Sequence, residues 1–451
     1  MNLTDNDIRQ IIANLGLPEG DEAILSALLG AGEPVRLSAI LERVQGAVPF
    51  GTRQQLSRRL SALVDSGLVH KRPKGPQTTY RPDTESVAQA YLDIDPGKRS
   101  LKWFHPARIE AYIPGETRLL PPEAAEEARA LSDASLEIGD TINQTVFRRL
   151  MIDTAWSSSL LEGNTYTFGE TEDLIEKGEA AEGRSAEETR MIRNHADTVD
   201  FLVKNRALLE PNTATLRGLH KLLARDLLES PEEEGNLRGG EVAIARTAYF
   251  PSPDLLTVEA GFEGIGRKAP EIPDPYEQAF FLLLAVPYLQ PFLDVNKRTG
   301  RMAANLPLLR QGLAPLSYFN MDREAYLRGM VEFYELGTTS IMTRVFLDGY
   351  RSSVERYRTY FQTIAGKESV ARDHRNTIRE LVKGFVGAVA DGKADPRDRD
   401  QFLRKHLTLN DVSVRDRIII EANRELDRLG LAEAIGHGID PETFQAYQDR
   451  V

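Results

Sequence analysis

The run Leu289-Gln290-Pro291-Phe292-Leu293-Asp294-Val295-Asn296-Lys297-Arg298-Thr299-Gly300-Arg301 joins an apolar segment, Phe280 to Leu289, to an amphipathic one carrying Met302, Leu306 and Leu309. The apolar run ends at Gln290-Pro291 and periodicity resumes after a short polar turn, so the pattern predicts helix, loop, helix. A second helix starting near Asn296 would present free N–H groups and a positive dipole end to the loop, which favours a bound phosphate. Arg298 and Arg301, three apart, then share one face and can clamp one polyphosphate together. Asp294, just before the turn, is placed to hold a magnesium ion that bridges phosphate oxygens. A bare Arg-x-x-Arg is ordinarily a solvated helix face; the density of the whole run argues for an anion site.

Taken whole, the run resembles the signature loop of the Fic (Fic/DOC) family, protein adenylyltransferases that move AMP from ATP onto a protein hydroxyl. The family's usual form reads His-Pro-Phe-x-Asp/Glu-Gly-Asn-Gly/Lys-Arg-x-x-Arg. Pro291, Phe292, Asp294, Asn296, Lys297, Arg298 and Arg301 match it, whereas Gln290 stands where the catalytic histidine is usual and Val295 where glycine is usual. The resemblance implies ATP as substrate, Mg at Asp294, and nucleotide contacts from Asn296, Lys297, Arg298 and Arg301. It also implies a deficit. A Gln amide has no basic site that titrates near neutrality, and losing a general base costs roughly 10²- to 10⁴-fold in rate.

Two further segments extend the resemblance. Ser158-x-x-x-Glu162-Gly163 is similar to the inhibitory helix motif of the larger bacterial members, which implies that Glu162 pairs with Arg301 and blocks the position of the ATP γ-phosphate. The family also assigns its inhibitory glutamate a base role when AMP is hydrolysed off a target. Glu241 to Phe250, between Gly239-Gly240 and Pro251, has the Val, Ile and aromatic content of extended chain. It resembles the family's flap, a β-hairpin whose edge guides a target peptide by main-chain pairing; Val242, Ile244, Thr247 and Tyr249 are the residues so implied, with Arg238 and Thr247 as secondary contacts.

The rest of the chain sets the context. Its 451 residues suffice for two to four domains. The chain has no cysteine, which fits a reducing compartment and removes thiol chemistry. The seven histidines show no zinc-ligand spacing, the N-terminus lacks a signal-peptide pattern, and no apolar run spans a membrane; a cytoplasmic protein is expected. A net charge of −12 argues against a chain that coats nucleic acid as a whole.

Local charge differs. Between Gly51 and Arg81 stand seven basic residues against one acidic, a net +6. Helical patterns at Ala23 to Leu29, Leu37 to Val44 and Thr52 to Val64 precede two extended runs, Leu68 to Arg72 and Thr78 to Arg81. Three helices and a hairpin resemble the winged helix-turn-helix of bacterial regulators. That reading puts Arg53, Gln54 and Arg58 in a DNA major groove and Lys71, Arg72 and Lys74 of the wing on phosphates, with double-stranded DNA as partner.

The expected class is mainly α, with four segments: 1–82 winged helix, 83–122 packed linker, 123–361 Fic domain with inhibitory helix, and 362–451 helical C-terminal region, whose charged faces suit solvent or a homodimer contact. Helices are expected over Glu123 to Glu137, Asn143 to Leu161, Thr171 to Gly178, Ala186 to Lys204, Thr213 to Leu228, Pro275 to Leu289, Lys297 to Gln311, Asp322 to Glu335 and Thr338 to Phe361. Two functions follow: an autoinhibited, attenuated Fic-type enzyme acting on a protein target and tied to DNA binding, or a catalytically inactive nucleotide-sensing transcriptional regulator.

Overall fold

The computed structural model describes residues 3–44, 53–75, 77–132, 140–407, 409 and 411–451, with backbone alone for 140–145, 147, 151, 363–373, 413 and 432. The chain divides into two compact units, one formed by Met1–Glu137 and Phe147–Tyr357, the other by Ile138–Val146 and Arg358–Val451.

The first unit begins with four helices, α1 (Asp5–Leu15), α2 (Glu19–Leu29), α3 (Leu37–Val44) and α4 (Arg53–Asp65), and three short strands, β1 (Val35–Arg36), β2 (Val69–Arg72) and β3 (Thr79–Pro82). The strands form an antiparallel sheet ordered β1-β3-β2, with Lys71 opposite Tyr80. Leu56, Leu60 and Leu63 of α4, at helical spacing, enter one core with Ile24, Leu28, Ile40, Val69 and Tyr80. Helix α1 adds to the three helices that the apolar spacing predicts. A capping box holds its start, Thr4 Oγ1 accepting from Asp7 N while Asp7 Oδ2 accepts from Thr4 N.

Residues 83–122, expected as irregular packed chain, contain α5 (Thr84–Leu92), β4 (Lys102–Trp103) and the single turn α6 (Ala107–Glu110). Then follow α7 (Pro122–Ser132), α8 (Asp140–Leu161), α9 (Phe168–Lys177), α10 (Ala186–Asn205), α11 (Thr213–Ala224), β5 (Tyr249–Phe250), α12 (Leu255–Lys268), α13 (Pro275–Leu289), α14 (Asn296–Arg310), α15 (Arg323–Leu336) and α16 (Ser340–Asp373). Helix α13 is apolar on every side and buried along its length after Pro275, so it forms the centre around which the others pack. Gly300 lets α14 lie close against it: a Cβ there would sit 2.9 Å from Pro287 Cδ.

The hairpin expected over Glu241 to Phe250 is corrected. Only Tyr249–Phe250 is strand, and it pairs in parallel with Lys102–Trp103 instead of folding back on 241–248. Arg246 turns the chain through positive φ, and the carboxylate of Glu335 takes Ala248 N (2.9 Å) and Thr247 Oγ1 (2.6 Å), anchoring the segment by a side chain. The β propensity of Val242 and Ile244 is therefore overridden locally by capture of the backbone.

In the second unit, α17 (Arg375–Ala390), α18 (Arg399–His406), α19 (Val412–Asp427), α20 (Leu431–Gly436) and α21 (Pro441–Gln448) surround Val382, Phe385, Leu403, Ile418, Ala422 and Phe444. Among the described residues no helix is long and apolar enough to cross a membrane.

Candidate functional site

The site is the loop between α13 and α14. Gln290 ends α13 in the left-handed region (φ 52°) and Val295 enters α14 the same way (φ 63°), an unusual conformation for a β-branched residue. What holds it is Asn296. Its Nδ2 donates to Gln290 Oε1 (2.9 Å) and Phe292 O (2.8 Å), and its Oδ1 accepts from Phe292 N (3.0 Å), so one amide closes the loop on itself.

Gln290 is spent in the same closure. Its Nε2 donates to Pro287 O (2.7 Å), and its backbone carbonyl accepts from Arg238 Nε (2.7 Å). Arg238, noted from sequence only as a secondary contact, is a central support. Its guanidinium also donates to Gly240 O (2.6 Å) and Ser252 O (2.5 Å), and its backbone N to Pro291 O (2.9 Å). Burial pulls its pKa down, yet it stays a cation satisfied by carbonyl dipoles.

His220 supports the other side. Its ring stacks on Phe292 at 3.8 Å, Nδ1 accepts from Gly235 N (2.9 Å), and Nε2 therefore carries the proton it donates to Asp294 O (3.2 Å). Burial, above all, lowers its pKa to about 4, so the ring is neutral at physiological pH.

Cationic groups converge at the start of α14, which has no side-chain cap. Arg301 is fully buried; its guanidinium donates to Ser158 Oγ (2.9 Å) and O (3.1 Å), Tyr326 Oη (3.1 Å) and Glu162 Oε1 (2.6 Å). The other carboxylate oxygen of Glu162 lies 3.1 Å from Lys297 Nζ. Burial alone would raise the Glu162 pKa; the charges of Arg301, Lys297 and Arg298 override it and bring the group down to about 2. Arg298 is buried too, yet its nearest carboxylate, Asp294 Oδ2, is 3.4 Å away and one terminal nitrogen, Nη1, has no partner. An orphaned buried guanidinium nitrogen is costly unless an anion meets it.

Asp294 is mostly exposed; its Oδ1 accepts from Val295 N (2.6 Å). Among the described residues no three His, Asp or Glu side chains group as a metal cage. A single exposed carboxylate fits magnesium shared with nucleotide phosphates, since that ion keeps its waters and takes one or two protein ligands.

Residues 210–308 match the family model described as Fic/DOC family. The chain contains a Fic/DOC domain. A protein adenylyltransferase fic-1 of Caenorhabditis briggsae is 25% identical over 281 residues, 57% of this chain and 54% of that protein. A protein adenylyltransferase Fic of Nematostella vectensis is 26% identical over 207 residues, 45% of this chain and 47% of that one. The chain thus spans about half the length of the curated relatives it matches. Among solved structures, a segment of Fic-1 from C. elegans covers 76% of this chain and 98% of its own at 19% identity and TM-score 0.46. A Fic family protein from Desulfovibrio desulfuricans covers 72% and 92% at the same identity and TM-score.

The matched Fic/DOC span contains the loop, His220 and Arg238, whereas Ser158, Glu162, His195 and Tyr326 lie outside it. Of the residues singled out from sequence, the structure gathers Glu162, Gln290, Asp294, Asn296, Lys297, Arg298 and Arg301 at the loop. Tyr249 opens β5, its Oη donating to Tyr288 O (2.6 Å), and Thr247 lies just before it, with Val242 and Ile244 half-buried further ahead. Arg53, Gln54 and Arg58 are exposed on α4, and Lys71, Arg72 and Lys74 are exposed on and just after β2. His195 and His220 lie in helical patterns and read from sequence as packed or partly exposed helix residues, and nothing in the sequence marks Tyr326, because a lone histidine or tyrosine on an apolar helix face reads as packing.

Proposed function

We propose that this protein binds ATP at the start of α14 and transfers AMP to a protein hydroxyl at an attenuated rate, held in check by Glu162. The observation that carries this reading is the uncapped α14 terminus beside the orphaned Arg298 nitrogen: a cationic, desolvated cradle for a polyphosphate. Glu162 occupies its inner end as an internal anion, and Arg301 cannot clamp a phosphate at full strength while it donates to that carboxylate. Asn296 keeps the loop closed, and Lys297 and Arg298 supply charge. Asp294 would hold a magnesium ion, which would supply positive charge to the nucleotide phosphates. The segment carrying Val242, Ile244, Thr247 and Tyr249 is the proposed guide for the target.

Proton removal from the target hydroxyl is the weak step, since the Gln290 amide is committed to Pro287 and Asn296 and has no basic lone pair in the neutral range. Glu162 is the substitute base once it leaves Arg301, a role that also suits AMP removal. The same commitment of Gln290 favours a second reading, a nucleotide-sensing regulator without transfer. Under both readings the basic face of Arg53, Gln54, Arg58, Lys71, Arg72 and Lys74 binds double-stranded DNA, supported by its net +6 in an acidic chain.

The test is incubation of the protein and its Glu162→Gly variant with labelled ATP and Mg²⁺. Labelling that depends on Arg298 supports transfer; ATP binding with labelling only after Gln290→His supports the regulator; no ATP binding by either protein removes both.

A further inference from the structure

Behind Arg301 lies a buried relay that the proposed reaction does not use. His195, on α10, has no exposed surface, and its Nδ1 lies 2.8 Å from Met191 O, which can only accept. Nδ1 therefore carries the ring proton, with Ser159 Oγ also within 3.2 Å, and Nε2 is bare. Nε2 lies 3.0 Å from Ser158 Oγ. That oxygen already accepts from Arg301 Nε, which can only donate, so the Ser158 hydroxyl proton points to His195. Every proton along Arg301, Ser158 and His195 is fixed by its neighbours. The charged groups nearest the ring are Arg298 and Arg301 of α14 and Glu162 at the end of α8; burial first, then the Arg298 charge, lowers its pKa to about 3 and keeps it neutral.

We infer that His195 is a positioning residue for autoinhibition: as a neutral acceptor it sets the Ser158 hydroxyl, which fixes the last turn of α8 on Arg301 and so keeps Glu162 in the phosphate position. This rests on the reading of Glu162 as an occluding group. Ser158 meets Arg301 through both its hydroxyl and its carbonyl, and Glu162 follows one turn later. Without the acceptor the hydroxyl is free to rotate toward other partners, and the hold on α8 weakens while the direct Glu162–Arg301 contact must carry it alone.

The experiment uses the full chain with His195→Leu, His195→Gln and Ser158→Ala, each also combined with Glu162→Gly. Gln can present an acceptor near the Nε2 position; Leu cannot. Amide exchange over residues 157–164 is measured without nucleotide, ATP–Mg²⁺ affinity by calorimetry, and global stability by thermal melting. Expected are exchange in that segment raised about fivefold by His195→Leu and Ser158→Ala, the worth of one hydrogen bond, and wild-type exchange in His195→Gln. ATP affinity rises by a similar factor in the same two variants, and the difference vanishes when Glu162 is Gly. Unchanged local exchange in Ser158→Ala, a Gln variant indistinguishable from Leu, or exchange raised evenly along the chain would overturn the inference. If local exchange responds but no variant, Glu162→Gly included, alters ATP affinity, occlusion by Glu162 fails and the hold by His195 stands.

Discussion

At Glu162 the decisive comparison is between a carboxylate in water and one between three cations. Its pKa falls from the ordinary 4.5 to about 2, so the contribution of this pairing to stability is complete above 4.5 and disappears as pH falls toward 2. The difference in melting temperature between the protein and Glu162→Gln is expected to be constant from pH 8 to 5 and to shrink between pH 4.5 and 2. A difference that grows on acidification would contradict the pairing. At neutral pH, Glu162→Gly removes the carboxylate that Arg301 holds, which under the proposed function opens the guanidinium to phosphate. Displacing a carboxylate from a desolvated guanidinium is worth about 2 kcal/mol, so ATP affinity should tighten roughly thirtyfold, read by calorimetry. Gln290→His should raise the rate of labelling by roughly 10²-fold or more if the new imidazole keeps the αL backbone of position 290; an unchanged rate would place the limiting step elsewhere.

Helices and turns show what the sequence could and could not disclose. The α13 to α14 pair was legible because an unbroken apolar run and a dense polar turn leave few alternatives, and α13 begins and ends where periodicity put it. Helix α12 was missed because Gly261, Gly264 and Gly266 lower its propensity. Those glycines serve packing: a Cβ on Gly261 would lie 2.7 Å from Leu289 Cδ1 and one on Gly266 2.4 Å from Thr213 Cγ2, contacts a sequence does not display. The segment before β5 misled for the converse reason, since Glu335 captures its backbone from 87 residues away. The exposed cations of α4 and the β2–β3 turn carry a prediction of their own. DNA affinity should fall steeply with salt, and Lys71→Ala or Lys74→Ala should each lower the slope of log affinity against log salt by about 1. A retardation series from about 50 to 200 mM salt measures the slope.

Across the first unit, Glu335 joins regions far apart in sequence. Its buried carboxylate accepts from Tyr91 Oη (2.7 Å) of α5, Arg99 (3.2 Å), Thr247 and Ala248. Arg328 adds bonds to Gln89 and Asp93, so α15 grips the helix that follows the β2–β3 sheet. A contiguous network is not itself evidence of coupling, but reciprocity makes coupling measurable. If ATP changes DNA affinity by some factor, DNA must change ATP affinity by the same factor, and Glu335→Gln should shrink both together. Equal affinities with and without the other ligand would show the two modules to be independent. The anchoring of Arg238 has a kinetic side as well. Its side chain and backbone together bind carbonyls of Gly240, Ser252, Gln290 and Pro291, so the α13–α14 loop cannot reach its final form until three separate stretches of chain have met. Contacts of such long range carry a loop-closure cost and slow folding, so a fragment confined to residues 275–310 would hold both helices' sequence and still lack the groups that shape the loop between them.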